Sequence, residues 1–226
     1  MIGAPESFVF ERLPSSQSAD AFAFHQKMLA SNGFYLWPRD LSDIRRFAND
    51  GELFGVRNSA GKLVGICYAT MLSEKERTTI GENGWELGGV TVEKSVQHLG
   101  IGTLLVRFAL GHTIALNRPW YNKQQIITLV HEENNKPQAL LKLLGFENSG
   151  EVKFDEAPPA IKRNASGKVV AHKFVFPHNA VRGLYDWFKN FNGSLNNEAD
   201  IWFSIPPADI KCIWQALEEA LNELDN

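Results

Sequence analysis

The sequence has little cysteine: among 226 residues only Cys67 and Cys212 occur, far apart along the chain. Two thiols cannot build the disulfide framework of small secreted domains, and a chain this long buries roughly two-thirds of its unfolded surface without one. Cys67 falls in an apolar, strand-like run and Cys212 in a helical pattern, so both are expected as buried thiols in a reducing compartment. Positive charge is not in excess either, since 23 Lys and Arg against 26 Asp and Glu leave a net charge of −3 with no long basic run. That argues against a dedicated nucleic-acid binder, which carries a basic patch. No apolar run has the length that spans a bilayer. The opening Met-Ile-Gly-Ala-Pro-Glu-Ser also lacks the basic start and apolar core of a signal peptide. The expectation is a cytoplasmic protein with no nucleic-acid, membrane or metal partner, and no repeat or low-complexity tract interrupts it.

What is present is a patterned α/β chain. Phe8 to Leu13 reads as a first strand, and Ser18 or Asp20 caps a helix that ends at Asn32-Gly33. After the aromatic stretch Phe34-Tyr35-Leu36-Trp37-Pro38, Asp40 or Ser42 starts a second helix. Two β-rich runs, Glu52–Arg57 and Lys62–Met71, flank the turn Asn58-Ser59-Ala60-Gly61. The polar stretch Ser73–Gly84 reads as another hairpin loop before a strand over Trp85–Val92. Apolar residues at 101, 104, 105, 108, 109 and 115 predict a helix, followed by a strand at Ile126–Val130, a short helix at Pro137–Leu144 and a strand at Val169–Phe176. The order is that of a mixed α/β domain. Beyond Pro177 two apolar stripes, Val181-Leu184-Tyr185-Phe188-Phe191 and Ile210-Ile213-Trp214-Leu217-Leu221-Leu224, flank a polar loop at Gly193–Asn197. They predict a helical extension over 178–226 that caps the main domain, 1–177, beside its acceptor side.

The chemistry concentrates at Val92-Glu93-Lys94-Ser95-Val96-Gln97-His98-Leu99-Gly100-Ile101-Gly102-Thr103: a strand, a turn and two spaced glycines before a helix. The first N–H groups of a helix have no internal partner and, with the helix dipole, attract an anion. Glycine lets a phosphate approach the backbone. The segment is not a Walker loop, because no Gly-Lys-Ser/Thr follows, and Leu105 stands where a dinucleotide fingerprint needs its third glycine.

Gln97-His98-Leu99-Gly100-Ile101-Gly102 resembles the Arg/Gln-x-x-Gly-x-Gly/Ala signature of the GNAT superfamily of N-acetyltransferases. Val90-Thr91-Val92 is similar to that family's splayed strand. Val130-His131-Glu132-Glu133-Asn134, with Leu140 and Leu144-Gly145-Phe146, resembles its second motif, in the family's order and separation. The resemblance covers roughly residues 8 to 176. It implies a mixed, mostly antiparallel central sheet flanked by helices and acetyl-CoA as cosubstrate. It also implies backbone N–H groups from Leu99 to Gly102, with Thr103, on the pyrophosphate, Gln97 beside it and His98 near phosphate or solvent. Val90 and Val92 would align the pantetheine, with an N–H near Val90 on the thioester carbonyl, and Asn134 would contact it from the facing strand.

Direct attack by an amine needs a base. Glu86 lies eleven residues before Gln97, a spacing similar to that of the catalytic glutamate in the family's histone-acetylating branch. Strand alternation puts it on the face of Gly88, Val90 and Val92. His131 is the rival, because imidazole titrates near neutrality. Leu141 stands where many members carry a tyrosine that protonates the leaving thiolate, and Tyr68 and Tyr121 are the candidates to replace it. The leading expectation is an N-acetyltransferase acting on a small-molecule or protein amine, as monomer or homodimer. Phe34, Tyr35 and Trp37 fall where the family builds part of its acceptor wall. The alternatives are a non-catalytic acyl-CoA-binding or sensing module, or an interaction protein working through its C-terminal helices.

Overall fold

The structure, a computed structural model, describes residues 6–32, 34–120, 122–191, 194–196 and 201–224. Strand β1 (Ser7–Arg12) leads into helices α1 (Ser18–Asn32) and α2 (Leu41–Asn49), then the hairpin β2 (Leu53–Asn58) and β3 (Leu63–Met71). There follow α3 (Glu74–Ile80), β4 (Gly84–Val92), α4 (Ile101–Asn117), β5 (Gln125–His131), α5 (Asn135–Leu143), β6 (Glu147–Phe154) and β7 (Val169–Phe176). The chain closes with α6 (Val181–Phe191), β8 (Ser194–Asn196), β9 (Trp202–Ser204) and α7 (Pro207–Leu224). The strands form one nine-stranded sheet, ordered β6-β7-β5-β4-β3-β2-β1-β9-β8. Among the described residues only β4–β5 and β1–β9 run parallel. This is the mixed, mostly antiparallel sheet that the family resemblance implies.

Burial explains the pattern. Every residue of β3 from Leu63 to Thr70 is buried, because the strand is central and covered on both faces. On one face α1 and α2 pack through Phe24, Met28, Ile44 and Phe47 onto Ile66 and Tyr68. On the other face lies α4, which is buried on nearly all sides from Ile101 to Ile114. A helix apolar all round needs cover beyond the sheet. The cover is α6 and α7, whose Leu184, Phe188, Ile213 and Leu217 join the same core as Phe8, Phe54 and Phe108. Among the described residues no helix is long and apolar enough to cross a membrane.

Several expectations need correction. Ser73–Gly84 is not a plain loop: α3 forms there, started by a capping box between Ser73 and Glu76. The Ser-x-x-Glu spacing carried that signal. Strand β6 was not expected, because it is a polar sheet edge with most residues exposed, so no apolar alternation marks it. The extension is not purely helical, since β8 and β9 lengthen the sheet beyond β1. It covers the α4 face, opposite to α1 and α2. Cys67 is buried, but Cys212 is exposed on α7. Gly33, Tyr121, and residues 192–193 and 197–200 around the expected polar loop lie outside the described residues.

Candidate active site

Strands β4 and β5 pair only over Gly84–Glu86 and Gln125–Ile127. Beyond that point β5 continues on β7 and β4 continues on β3, so the two strands part like a wedge. Val90, Thr91 and Val92 line one side of the wedge, half-buried, with no ladder partner toward β5 among the described residues. On the side away from β3 this segment borders an opening rather than a strand, with the Val92 carbonyl taken by the Gln97 amide, and polar backbone without a ladder partner invites a ligand.

The wedge runs into the turn before α4. Gly100 adopts φ 85°, a left-handed conformation that glycine takes without strain, and precedes Ile101 at the helix start with no side chain capping it. The first bond at this end is Leu104 N–H to the Gly100 carbonyl, 3.1 Å. The N–H groups of Ile101, Gly102 and Thr103 therefore point out of the helix as anion donors. A Cβ on Gly102 would meet nothing nearer than Val92 Cγ2, at 3.8 Å, so the fold itself does not require glycine there. A cradle kept open where the protein has no need of the space fits a phosphate. His98, at φ 70°, is exposed, and Leu99 packs on the core. Gln97 is half-buried in the same turn. Its Nε2 donates to the Val92 carbonyl at 3.0 Å, so one N–H of the amide braces the turn. Across the wedge Asn134 is half-buried at the start of α5, its side chain uncommitted to capping. Leu141 is buried in the main core.

Glu86 does not share a face with Val90 and Val92. In the β3–β4 ladder Tyr68 opposes Gly88 but Ile66 opposes Thr91, so β4 carries one extra residue between them. Such a bulge reverses the alternation beyond it. Glu86 and Gly88 point to the α1–α2 face with Tyr68 and Thr70, while Val90 and Val92 pack toward α4. Gly89 makes the bulge at φ 62°, and Tyr68 lies across both glycines.

On that face Glu86 meets a residue that the sequence reading passed over. Arg39, just before the Asp40 cap of α2, donates from Nη2 to Glu86 Oε2 at 3.2 Å and to the Tyr68 hydroxyl at 2.7 Å, with Nε 3.2 Å from the same oxygen. The Arg39 and Glu86 side chains are only 13% and 12% exposed. Burial pushes the Glu86 carboxyl above the usual carboxylate range, Arg39 pulls it back, and Glu76 on α3 adds to the rise. No periodicity links position 39 to position 86, and only the Pro-Arg-Asp start of α2 marked Arg39 at all.

His131 is buried and committed. Its Nδ1 accepts the Glu133 N–H at 3.2 Å, which places the ring proton on Nε2, 2.9 Å from the Lys162 carbonyl. Neither nitrogen keeps a free lone pair. Tyr35 packs on the His131 ring at 5.0 Å and Trp37 on Phe154 at 5.3 Å. Lys162 N–H donates to the Phe34 carbonyl at 3.0 Å, tying the α1–α2 connection to the β6–β7 connection over the end of β5. Phe34 itself is exposed. Among the described residues no cluster of His, Cys, Asp and Glu has the make-up of a metal site.

These features have relatives. No curated protein matches the sequence. Among solved structures, the NatC complex bound to Gag peptide and CoA is similar over 76% of this chain and 98% of that one, at TM-score 0.54 and 16% identity. A GNAT-family acetyltransferase from Listeria monocytogenes 4b F2365 covers 74% and 94%, at TM-score 0.51 and 17% identity. The ribosomal-protein-S18-alanine N-acetyltransferase from Escherichia coli covers 75% and 93%, at TM-score 0.51 and 15% identity. At such identities the likeness is one of fold. The acetyltransferase (GNAT) family model matches residues 21–146, more than half of the chain, and takes in both the wedge and the glycine turn. The chain therefore belongs to the GNAT acetyltransferase family and is an acetyl-CoA-dependent N-acetyltransferase.

Proposed function

We propose that the chain acetylates a primary amine by direct attack, with Glu86 as the base. The observation that carries this reading is the place of Glu86: a nearly buried carboxylate at the last paired position before β4 and β5 part, on the face of α1 and α2. Acetyl-CoA supplies the acetyl group as a thioester, and the CoA thiolate leaves with the electron pair of the broken C–S bond as the C–N bond forms. Ile101, Gly102 and Thr103 hold the pyrophosphate through their N–H groups, and Val90 and Val92 align the pantetheine arm. The N–H at Val90, beside the bulge, would polarise the thioester carbonyl, a contribution of about 10²–10³-fold in comparable oxyanion sites. Glu86 takes one proton from the amine nitrogen as its lone pair attacks the carbonyl carbon. Leu141 has no proton to give, so this chain offers the departing sulfur no side-chain acid at that position.

The acceptor approaches between the α1–α2 and β6–β7 connections, past Phe34 and Tyr35. A small-molecule amine or a protein N-terminus fits this reading, and the two similar structures that act on or hold peptides or proteins favour the second. The even charge and the two cysteines suit the cytoplasm. The test is CoA release from the full chain against a panel of amines and peptides, with Glu86→Gln beside it. Glu86→Gln is expected to lower turnover by about 10²–10⁴-fold with acetyl-CoA affinity unchanged. Near-normal turnover on the preferred acceptor would remove Glu86 from the mechanism.

A further inference from the structure

We propose that Arg39 is a positioning residue for Glu86: clamped between the Tyr68 hydroxyl and the Glu86 carboxylate, it holds that carboxylate ionised and aimed. This rests on Glu86 being the base. A protonated carboxyl cannot accept the amine proton, and a carboxylate this deep in apolar surroundings takes up a proton unless a cation faces it.

The groups that face Glu86 come from four elements. Tyr68 and Thr70 lie on β3, Glu76 on α3 and Ile127 on β5, while Arg39 enters from the α1–α2 connection. Behind Thr70, Arg46 of α2 donates to its hydroxyl at 3.1 Å and stands 3.9 Å from Glu52. Burial and Glu76 both favour the neutral acid, and Arg39 opposes them.

Arg39 is itself built in. Its guanidinium lies 5.0 Å over the Tyr68 ring and 5.8 Å from the Phe47 ring. Its backbone N–H donates to His25 Nε2 on α1 at 3.1 Å, and Asp40 next to it caps α2. The planar fork reaches the phenol from two nitrogens and the carboxylate from one of them. A lysine ammonium cannot reproduce that geometry.

The experiment follows the carboxyl carbon of Glu86 by NMR through a pH titration of the full, ligand-free chain labelled in its glutamate carboxyls. Glu86→Gln assigns the signal. Arg39→Gln is expected to raise the midpoint by about one pH unit or more, the usual effect of an opposite charge at this range. Arg39→Lys should fall between, and Tyr68→Phe should give a smaller rise. The acid limb of kcat/KM should move with the midpoint while the high-pH plateau survives, which a merely structural defect would not produce. An unmoved midpoint in folded Arg39→Gln overturns the proposal. Should that variant not fold, unmoved midpoints in both Arg39→Lys and Tyr68→Phe overturn it instead. Full turnover in Glu86→Gln overturns the base reading, whereas an unmoved midpoint with Glu86→Gln inactive overturns the role of Arg39 alone.

Discussion

Tyr68 lies over Gly88 so closely that a Cβ at residue 88 would sit 2.6 Å from the phenol oxygen. The ring has nowhere to retreat. It stacks on Phe47 with centroids 4.6 Å apart, and its hydroxyl holds Arg39. Gly88→Ala is therefore expected to cost about 1–3 kcal/mol, the usual penalty for overpacking a core. Urea denaturation measures it, and adding Tyr68→Leu should recover part of the loss. An unchanged midpoint would mean that Tyr68 yields freely.

Gly102 offers the cleaner probe of the phosphate cradle. Gly100 sits at φ 85°, where any side chain adds strain, but Gly102 is helical and has space beside Val92. Gly102→Asp should leave stability unchanged or slightly raised, because a carboxylate in the first turn suits the helix dipole. The same carboxylate repels a pyrophosphate, so acetyl-CoA affinity should fall at least tenfold, about 1.4 kcal/mol or more. Calorimetry on the folded variant decides. Unchanged affinity would move the pyrophosphate elsewhere.

Acid should weaken the fold through two buried imidazoles. His112 on α4 packs between Phe54 and Phe108, and its Nε2 is 3.5 Å from Asp209, a contact that is an ion pair only if the ring is protonated. Burial, helped by the Arg12 cation, holds its pKa down at about 3. His25 is held at about 4 by burial and Arg39. Both folded values lie below the unfolded one near 6.5, so the unfolded state binds more protons as pH falls, and stability is lost from about pH 6.5 downward. Asp209, whose carboxyl burial raises, works in the opposite sense near its own range. His112→Phe should gain on the wild type by about 2–3 kcal/mol between pH 6.5 and 4. Urea melts at both pH values test this, and a pH-independent difference would refute it.

Removal of 178–226 should uncover α4. A Cβ on Gly111 would come within 2.6 Å of Ile213 Cγ2 and 3.1 Å of Phe188, which shows how closely α6 and α7 sit on that helix. The cut also frees the β1 edge, where Phe8 stacks on Phe203. Losing Phe188, Phe203, Ile213 and Leu217 from the core removes about 1.5–3 kcal/mol for each. A chain ending at Pro177 is expected to aggregate, by light scattering, and not to show a selective change in acceptor preference, since the cap lies across the sheet from Glu86. A soluble, cooperatively folding 1–177 fragment would contradict this.

Local spacing carried much of this molecule. Gln97 to Thr103 announced the turn and the uncapped start of α4, because glycine conformation and orphan N–H groups are properties of neighbouring residues. The same holds for the Asn58–Gly61 hairpin, and for Asp40, whose capping of α2 depends only on Asp43 three residues on. The two apolar stripes after Pro177 already required a surface to cover, since an amphipathic helix gains most of its stability from packing. Tertiary structure alone decided which groups meet Glu86. One extra residue in β4 turned its side chain away from Val90 and Val92, and a bulge is visible only once β3 gives β4 a register. Arg39 reaches Glu86 across 47 residues because α2 docks on Tyr68, and His131 commits its Nδ1 lone pair to the Glu133 N–H two residues on and its Nε2 proton to the Lys162 carbonyl of the β6–β7 connection. Backbone conformation follows from local chemistry, whereas the charge state of a buried carboxylate follows from whatever packing sets beside it.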